Sequence, residues 1–155
     1  MVQADDDRAG ATVKAYRLGP ARRAVNAVMT AMLRLGIGGR STYLLTTTGR
    51  RTGQKRSTPV ILVEAATDRW LVSPYGTVAW VRNIRANPEI TIRRGRRTDT
   101  LRAKEVGPQD AAFVLRQYLR NVWVTAPFFD AKRDDPEEAF LEEASRHPVF
   151  KLTTD

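Results

Sequence analysis

The residues best suited to chemistry lie in one segment, TTTGRRTGQKRSTP at residues 46–59. Gly49 and Gly53 would let backbone amides approach a ligand closely. Threonine hydroxyls add donors, and four cations surround the same turn: Arg50, Arg51, Lys55 and Arg56. This composition predicts a cradle for phosphate or carboxylate, although a solvent-exposed basic hairpin tip would have the same composition. The Gly-Lys-Ser/Thr ending of a Walker loop is absent.

A second candidate segment is SPYGTVAWVRNIRANP at residues 73–88. A Pro/Gly loop here leads into a predicted helix, whose free N-terminal amides and dipole favour an anion. Trp80 could form a flat apolar wall for a ring system, or it could be a core aromatic. Asn83, one turn further on, could hydrogen-bond the polar edges of such a ring.

A third basic group brackets Gly95 and consists of Arg93, Arg94, Arg96 and Arg97. Charged residues are readily solvated at a hairpin tip, so we expect this group to be a solvated surface. It could also attract a polyanion over a longer distance.

Residue counts exclude several kinds of site. The chain has no cysteine, which removes disulfides, thiolate nucleophiles and Cys-based metal sites. Its one histidine, His147, would have to serve any Ser-His-Asp triad. We expect no metal site, and we expect His147 to be an exposed residue that enters a strand.

The charge balance indicates an anionic partner. The chain has 26 basic and 17 acidic residues, a net charge of +9, and 21 of the 26 are arginine. Arginine favours bidentate contacts with phosphate or carboxylate. Nucleic acid, an anionic lipid surface and a phosphorylated cofactor all remain open at this point.

The chain divides into a loose N-terminus at residues 1–19 and one domain at residues 20–155. Pro20 begins a predicted helix that ends before Gly36, and its basic face suits either solvent or an anionic membrane surface. No stretch approaches the length of a membrane span, and acidic residues near Met1 argue against a signal peptide. We therefore expect a cytoplasmic protein, and the basic face of the predicted helix would allow it to lie at the inner face of the cell membrane. The basic face comprises Arg22, Arg23, Asn26, Thr30 and Arg34.

The remaining pattern predicts an α+β fold with six strands that close into a barrel. β-Branched and apolar runs predict strands at residues 42–48, 58–64, 69–73, 89–94, 97–106 and 148–154. Helical spacing predicts helices at residues 79–86, from Pro108 to residue 122, and from Pro136 to about Arg146.

The order and spacing of these motifs resemble the deazaflavin-dependent nitroreductase family, a branch of the split β-barrel flavin-binding proteins. LLTTTGRRTGQKRSTPVILVE, WLVSPYG and WVRNIRANPEITI carry the resemblance, over about residues 42–106. It implies a six-stranded split barrel that binds the deazaflavin coenzyme F420, which carries a phosphate and an oligoglutamate tail. The sequence departs from the family at Pro74, Tyr75 and Gly76, where better-known members have a Lys-Gly-Gly turn.

The resemblance also implies the cofactor-binding residues. The basic turn, including Lys55, would bind the anionic part, the residues after it would lie beside the deazaflavin, and two later segments would complete the site. These residues are Arg50, Arg51, Thr52, Lys55, Arg56, Ser57, Thr58 and Pro59, then Leu71, Val72, Ser73 and Pro74, then Ala79, Trp80, Val81, Arg82 and Asn83.

The implied activity is hydride transfer from reduced F420 to a hydrophobic acceptor such as a quinone, a nitroaromatic or an unsaturated lipid. We expect Phe128 and Phe129 to line the substrate pocket, and no catalytic side chain is identified. The alternatives are an FMN-binding split-barrel oxidoreductase and a single-stranded nucleic-acid-binding module. We expect no nucleic-acid partner, and the protein could be a monomer or a homodimer.

Overall fold

The structure, a computed structural model, describes residues 41–154, with only the backbone of residues 123 and 124. The predicted loose N-terminus and the predicted basic helix from Pro20 lie outside this range. None of the described helices is long and apolar enough to cross a membrane.

Six antiparallel strands form a closed barrel in the order β1-β2-β3-β6-β5-β4. The predicted α+β barrel is therefore confirmed. The strands are β1 Thr42–Thr48, β2 Lys55–Ala65, β3 Asp68–Val72, β4 Glu89–Arg94, β5 Arg97–Glu105 and β6 Val149–Thr153.

Three α-helices and one 3₁₀ helix accompany the barrel in the described range: α1 Ala79–Ala86, α2 Pro108–Asn121, the 3₁₀ helix Trp123–Phe128 and α3 Glu137–Glu143. Pro108 begins α2 at a position where its missing N–H costs nothing, and Pro88 follows the end of α1. The last helix, α3, ends at Glu143, whereas the sequence predicted an end at about Arg146. The 3₁₀ helix was not predicted, because WVTAPF has no helical spacing and contains Pro127.

The strands β2, β3 and β6 bury apolar residues on both of their faces, which creates two apolar clusters, whereas β4 and β5 each have one largely exposed face. In β2, Val60 and Leu62 contribute to the barrel interior. Ile61 and Val63, which alternate with them, contribute to a second cluster between the barrel and α2. The two-residue period of a strand thus divides one apolar run between two cores.

One part of β2 has a partner on one side only. Its register with β1 runs from Thr48↔Lys55 to Thr42↔Ile61, whereas pairing with β3 begins at Leu62↔Leu71. Within residues 41–154, residues 55–61 therefore pair with β1 alone. Backbone groups along the other edge of this segment are not used by a described strand.

The turn between β1 and β2 requires its glycines. Gly53 has φ of +69°, a left-handed conformation, although nothing lies within 4 Å of a Cβ built there. Gly49 has the opposite restriction, because a Cβ would meet Thr52 Oγ1 at 3.0 Å and the Gln54 carbonyl oxygen at 3.1 Å. This tight turn therefore needs glycine at both positions, because Gly53 has a left-handed backbone and Gly49 has no room for a side chain.

We expect Gly53→Ala to lower the free energy of unfolding by about 1 kcal/mol, because an L-residue is strained in the left-handed region. Urea unfolding at neutral pH measures this change. Gly107→Ala is the matched control, since Gly107 has φ of −72° and also has open space around its Cα. Equal losses in the two variants would contradict the explanation.

Candidate functional site

The β1–β2 turn is closed by its own hydrogen bonds. The Gly49 N–H donates to the Gln54 carbonyl at 2.7 Å, and the Gly53 N–H donates to the Gly49 carbonyl at 2.9 Å. The Gln54 N–H also donates to Thr52 Oγ1 at 3.2 Å. Because the backbone is held internally, the charged side chains of the turn need not take part in closing it.

Four cations are exposed at this turn, namely Arg50, Arg51, Lys55 and Arg56. Lys55 Nζ donates to Thr48 Oγ1 at 3.0 Å, across the strand pair. Within residues 41–154, none of the four forms an ion pair with a carboxylate. Their charge is therefore available to an anionic ligand, and the residues of the predicted cradle do lie together.

Asn83 joins this turn to α1. Its side chain is 4% exposed, and its Oδ1 accepts from the Arg50 N–H at 3.2 Å and from Arg50 Nη1 at 3.4 Å. Its Nδ2 donates to Thr47 Oγ1 at 3.1 Å. We expected Asn83 to face the ring edge of a ligand, whereas here its amide holds the first two candidate segments against each other.

The other predicted cofactor residues differ in exposure. Trp80 is half-buried and packs against the barrel interior, with its ring 6.1 Å from that of Phe150. Ala79 is exposed, and Arg82, Thr58 and Pro59 are half-buried. The remaining predicted residues of these two segments are buried and are not open to a ligand in this structure; they are Leu71, Val72, Ser73, Pro74 and Val81.

The loop after β3 contacts the 3₁₀ helix. The Ser73 hydroxyl is buried and donates to the Gly76 carbonyl, which braces a turn in which Gly76 has φ of +83°. Between them, Tyr75 is half-buried, and its ring meets Phe128 edge-on at 4.7 Å. The Tyr75–Phe128 contact therefore connects one predicted cofactor segment with the predicted substrate-pocket segment.

The two predicted pocket phenylalanines have different surroundings. Phe128 is half-buried, whereas Phe129 is 8% exposed and belongs to the cluster beneath α2. Phe129 stacks on His147 with a centroid distance of 4.0 Å and an interplanar angle of 17°. The expectation that His147 is exposed was wrong: it is 0% exposed, because its ring is covered by Phe129 and lies against the buried Glu143.

Glu143 is a buried carboxylate that sequence reasoning missed. Its Oε1 accepts from the backbone N–H groups of Asp130 and Ala131 at 2.7 and 2.6 Å. Its Oε2 lies 3.0 Å from Arg146 Nη2 and 3.1 Å from His147 Nε2. The spacing of four residues between Glu143 and His147 near a predicted helix end was the available signal.

Two opposing effects act on the pKa of Glu143. Burial raises it, but the contacts with His147, the Ala131 amide and Arg146 together outweigh burial and lower the pKa to about 2. A nearby phenol behaves differently, since burial raises the pKa of Tyr118. At neutral pH, the cluster beneath the 3₁₀ helix segment therefore contains an ionised carboxylate and a protonated phenol.

The third basic group lies at the opposite end of the barrel from the β1–β2 turn. A cavity of about 650 Å³ opens there, lined by residues that include Arg94 and Arg97. Its charges are largely paired, because Arg69 Nη1 lies 3.2 Å from Asp99 Oδ2 and the Tyr43 hydroxyl donates to Glu64 at 2.7 Å. The exposed cations of the β1–β2 turn, which form no ion pair within residues 41–154, are therefore better candidates for binding an anion than this cavity is.

A closed six-stranded barrel with a basic turn held against α1 is the split-barrel fold of flavin-binding proteins. Within this class, the model of the F420H2-dependent quinone reductase family matches residues 21–134, so the chain belongs to that family. The resemblance to deazaflavin-dependent reductases is confirmed. The protein is an oxidoreductase, and coenzyme F420 is its cofactor.

Solved structures share the fold. One, described as a domain-swapped dimer, is 20% identical with a TM-score of 0.56, covering 87% of this chain and all of the other. An F420-H2 dependent reductase (FDR-A) is 23% identical with a TM-score of 0.52, covering 74% and 95% of the two chains. A putative pyridoxamine 5'-phosphate oxidase from Listeria innocua is 11% identical with a TM-score of 0.51, covering 83% and 92%. No curated protein is significantly similar in sequence.

We expect Asn83→Ala to lower the free energy of unfolding by about 2 kcal/mol, since it removes a buried amide and leaves the Thr47 hydroxyl without its partner. Urea unfolding would measure the loss. Asn87→Ala is the control, because Asn87 is exposed and its Oδ1 accepts only from the Glu89 N–H. Similar losses in both variants would show that the Asn83 bridge has no special importance.

Glu143 gives a pH-dependent prediction. Because its pKa is about 2 in the folded protein and 4.5 ordinarily, its ionisation stabilises the fold fully above pH 4.5. As pH falls from 4.5 to 2, the unfolded chain takes up the proton first and this stabilisation is lost. We expect Glu143→Gln to be less stable than wild type by about 3 kcal/mol at neutral pH.

Urea unfolding at pH 7, 4 and 3 would test this expectation, since the difference between wild type and Glu143→Gln should shrink at the lower values. Glu142→Gln is the matched control, because Glu142 is the exposed neighbour on the same helix. A difference between wild type and Glu143→Gln that is independent of pH would contradict the assigned ionisation.

Proposed function

We propose that the protein uses reduced coenzyme F420 to reduce a hydrophobic acceptor, with a quinone as the first candidate. Membership of the F420H2-dependent quinone reductase family supports the reductase activity. The Tyr75–Phe128 contact beside the cofactor segments is the observation that favours an apolar, flat acceptor. Nitroaromatics and unsaturated lipids share that character and form the wider range of candidates.

The exposed cations of the β1–β2 turn fit the cofactor. Arg50, Arg51, Lys55 and Arg56 would bind its phosphate and glutamate carboxylates, which suit guanidinium groups well. Ser57, Thr58 and Pro59 follow on the part of β2 that, among the described strands, pairs with β1 alone, and a planar ring would lie along the other edge of this segment. Trp80 and the start of α1 would complete the binding site.

When bound, reduced F420 supplies a hydride. A quinone that accepts one hydride must also take up one proton to become a hydroquinone. The described residues contribute position and environment. The turn cations would orient the anionic part, Asn83 would hold the turn on α1, and the rings of Tyr75 and Phe128 would exclude water from the acceptor. We assign no side chain to proton transfer.

We further propose that the protein assembles as a homodimer, since a chain of the same fold is described as a domain-swapped dimer. We also propose peripheral membrane contact through the predicted helix that begins at Pro20. The basic face of that helix is the ground for this proposal. Light scattering would measure the molecular mass, and co-sedimentation with anionic vesicles would measure the contact. A monomeric mass would contradict the first proposal, and protein left in the supernatant would contradict the second.

We expect Arg51→Ala and Arg56→Ala each to weaken F420 binding by about 1–3 kcal/mol, because each removes a charge-assisted contact with the anionic part. Fluorescence titration of the cofactor measures the change. Arg96→Ala is the matched control, since it removes the same charge from an exposed residue at the opposite end of the barrel. An equal loss in Arg96→Ala would indicate general attraction rather than a cradle.

The acceptor is tested by following oxidation of reduced F420 by absorbance with quinones, nitroaromatics and enoyl lipids. We expect naphthoquinones to be reduced faster than small polar acceptors, and the reverse order would contradict a hydrophobic acceptor.

Parallel titrations with FMN and with single-stranded RNA test the alternatives. Tight binding of FMN without binding of F420 would overturn the cofactor site proposed at the β1–β2 turn.

A further inference from the structure

We propose that Glu143 is a positioning residue of the acceptor site: its carboxylate holds residues 128–131 so that the ring of Phe128 stays against Tyr75. This proposal rests on the proposed function, because it assumes that the acceptor lies beside this pair of rings. Glu143 itself would not touch the acceptor, since its side chain is 1% exposed and lies beneath the segment.

The contacts of Glu143 converge on the residues that follow the two phenylalanines. One oxygen accepts from two consecutive backbone amides, those of Asp130 and Ala131, at 2.7 and 2.6 Å. Arg146 reinforces the link, because Nη2 lies 3.0 Å from the Glu143 carboxylate and Nη1 lies 2.9 Å from the Asp130 carboxylate. The chain direction after Phe129 is thus fixed from α3 and the loop that follows it.

A second set of contacts transmits this position to the accessible ring. His147 lies 3.1 Å from Glu143 and stacks on Phe129 at a centroid distance of 4.0 Å. Phe129 is the direct neighbour of Phe128, whose ring meets Tyr75 at 4.7 Å. A shift of the carboxylate would therefore move both the backbone and the ring that support Phe128.

The chemistry of the cluster argues for position rather than for stability alone. Burying a carboxylate, a guanidinium and an imidazole is costly, and an apolar side chain would fill the same space at lower cost. What a carboxylate adds is direction, because it can fix two adjacent amides at once. At the end of the 3₁₀ helix, the Phe129 N–H donates a hydrogen bond to the Ala126 carbonyl, three residues earlier. This local bond leaves the direction of the following residues to contacts with other parts of the chain.

The test compares Glu143→Gln with Glu142→Gln, which changes an exposed carboxylate of the same helix. Hydrogen exchange in the protein without cofactor gives the first readout. We expect exchange of the amides in residues 129–135 to speed up by about 10- to 100-fold in Glu143→Gln, while amides of α1 that exchange by local opening stay unchanged. Glu142→Gln should match the wild type. Unchanged exchange in Glu143→Gln would overturn the proposal that Glu143 holds residues 128–131.

Kinetics gives the second readout. In Glu143→Gln, we expect the KM for menadione to rise about fivefold or more, with a smaller rise for benzoquinone, because the larger ring depends more on the fixed position of Phe128. The Kd for F420 should stay within about twofold, since the turn cations are separate from α3. A uniform fall in kcat with both quinones, and no change in KM, would indicate a structural role and overturn the proposal.

Arg146→Gln is the second variant in case Glu143→Gln fails to fold. It keeps the carboxylate and both amide hydrogen bonds but removes the reinforcing guanidinium, so smaller changes in the same direction are expected for exchange and KM. No change in either quantity would overturn the proposal. A wild-type protein that binds F420 but reduces neither quinone would instead overturn the proposed function, and the acceptor role of Glu143 with it.

Discussion

The buried amide of Asn83 is the constraint on which the candidate site depends. An amide that is 4% exposed must find partners within the protein, and those partners are the Thr47 hydroxyl and the N–H and guanidinium of Arg50. This requirement holds the β1–β2 turn against α1. In our proposal, the exposed cations of the turn and α1 therefore act on one ligand.

The barrel supplies a rigid base for two different surfaces. On one face, the strands pack against α1, and on the other face β2, β3 and β6 pack in one cluster with α2 and the two phenylalanines at the end of the 3₁₀ segment. The loop after β3 meets both, because it contains Tyr75 and leads from the core strand into α1. In our proposal, the cofactor and acceptor regions meet at this loop.

Local signals in the sequence were sufficient for most elements. The β-branched run of β1, the Pro-bounded α1 and the hairpin of β4 and β5 all have their predicted positions, because each depends on the side-chain period and turn residues of its own segment. The 3₁₀ helix was missed because WVTAPF has no helical spacing and contains Pro127. Phe128 and Phe129 looked equivalent because their different surroundings come from distant residues, Tyr75 for the first and His147 for the second.

The sequence by itself determined the order of the candidate segments along the chain. These are a Gly-bounded basic turn, a Pro/Gly loop and a helix with Trp80 and Asn83, in the spacing of a deazaflavin-binding family. Its composition also predicted an anionic partner, because arginine favours contacts with phosphate or carboxylate. Only the tertiary structure decided that Asn83 faces the protein and that His147 and Glu143 are buried under the 3₁₀ segment. The physical reason is that burial and hydrogen-bond partners arise from segments far apart in the chain, which no local pattern of residues records.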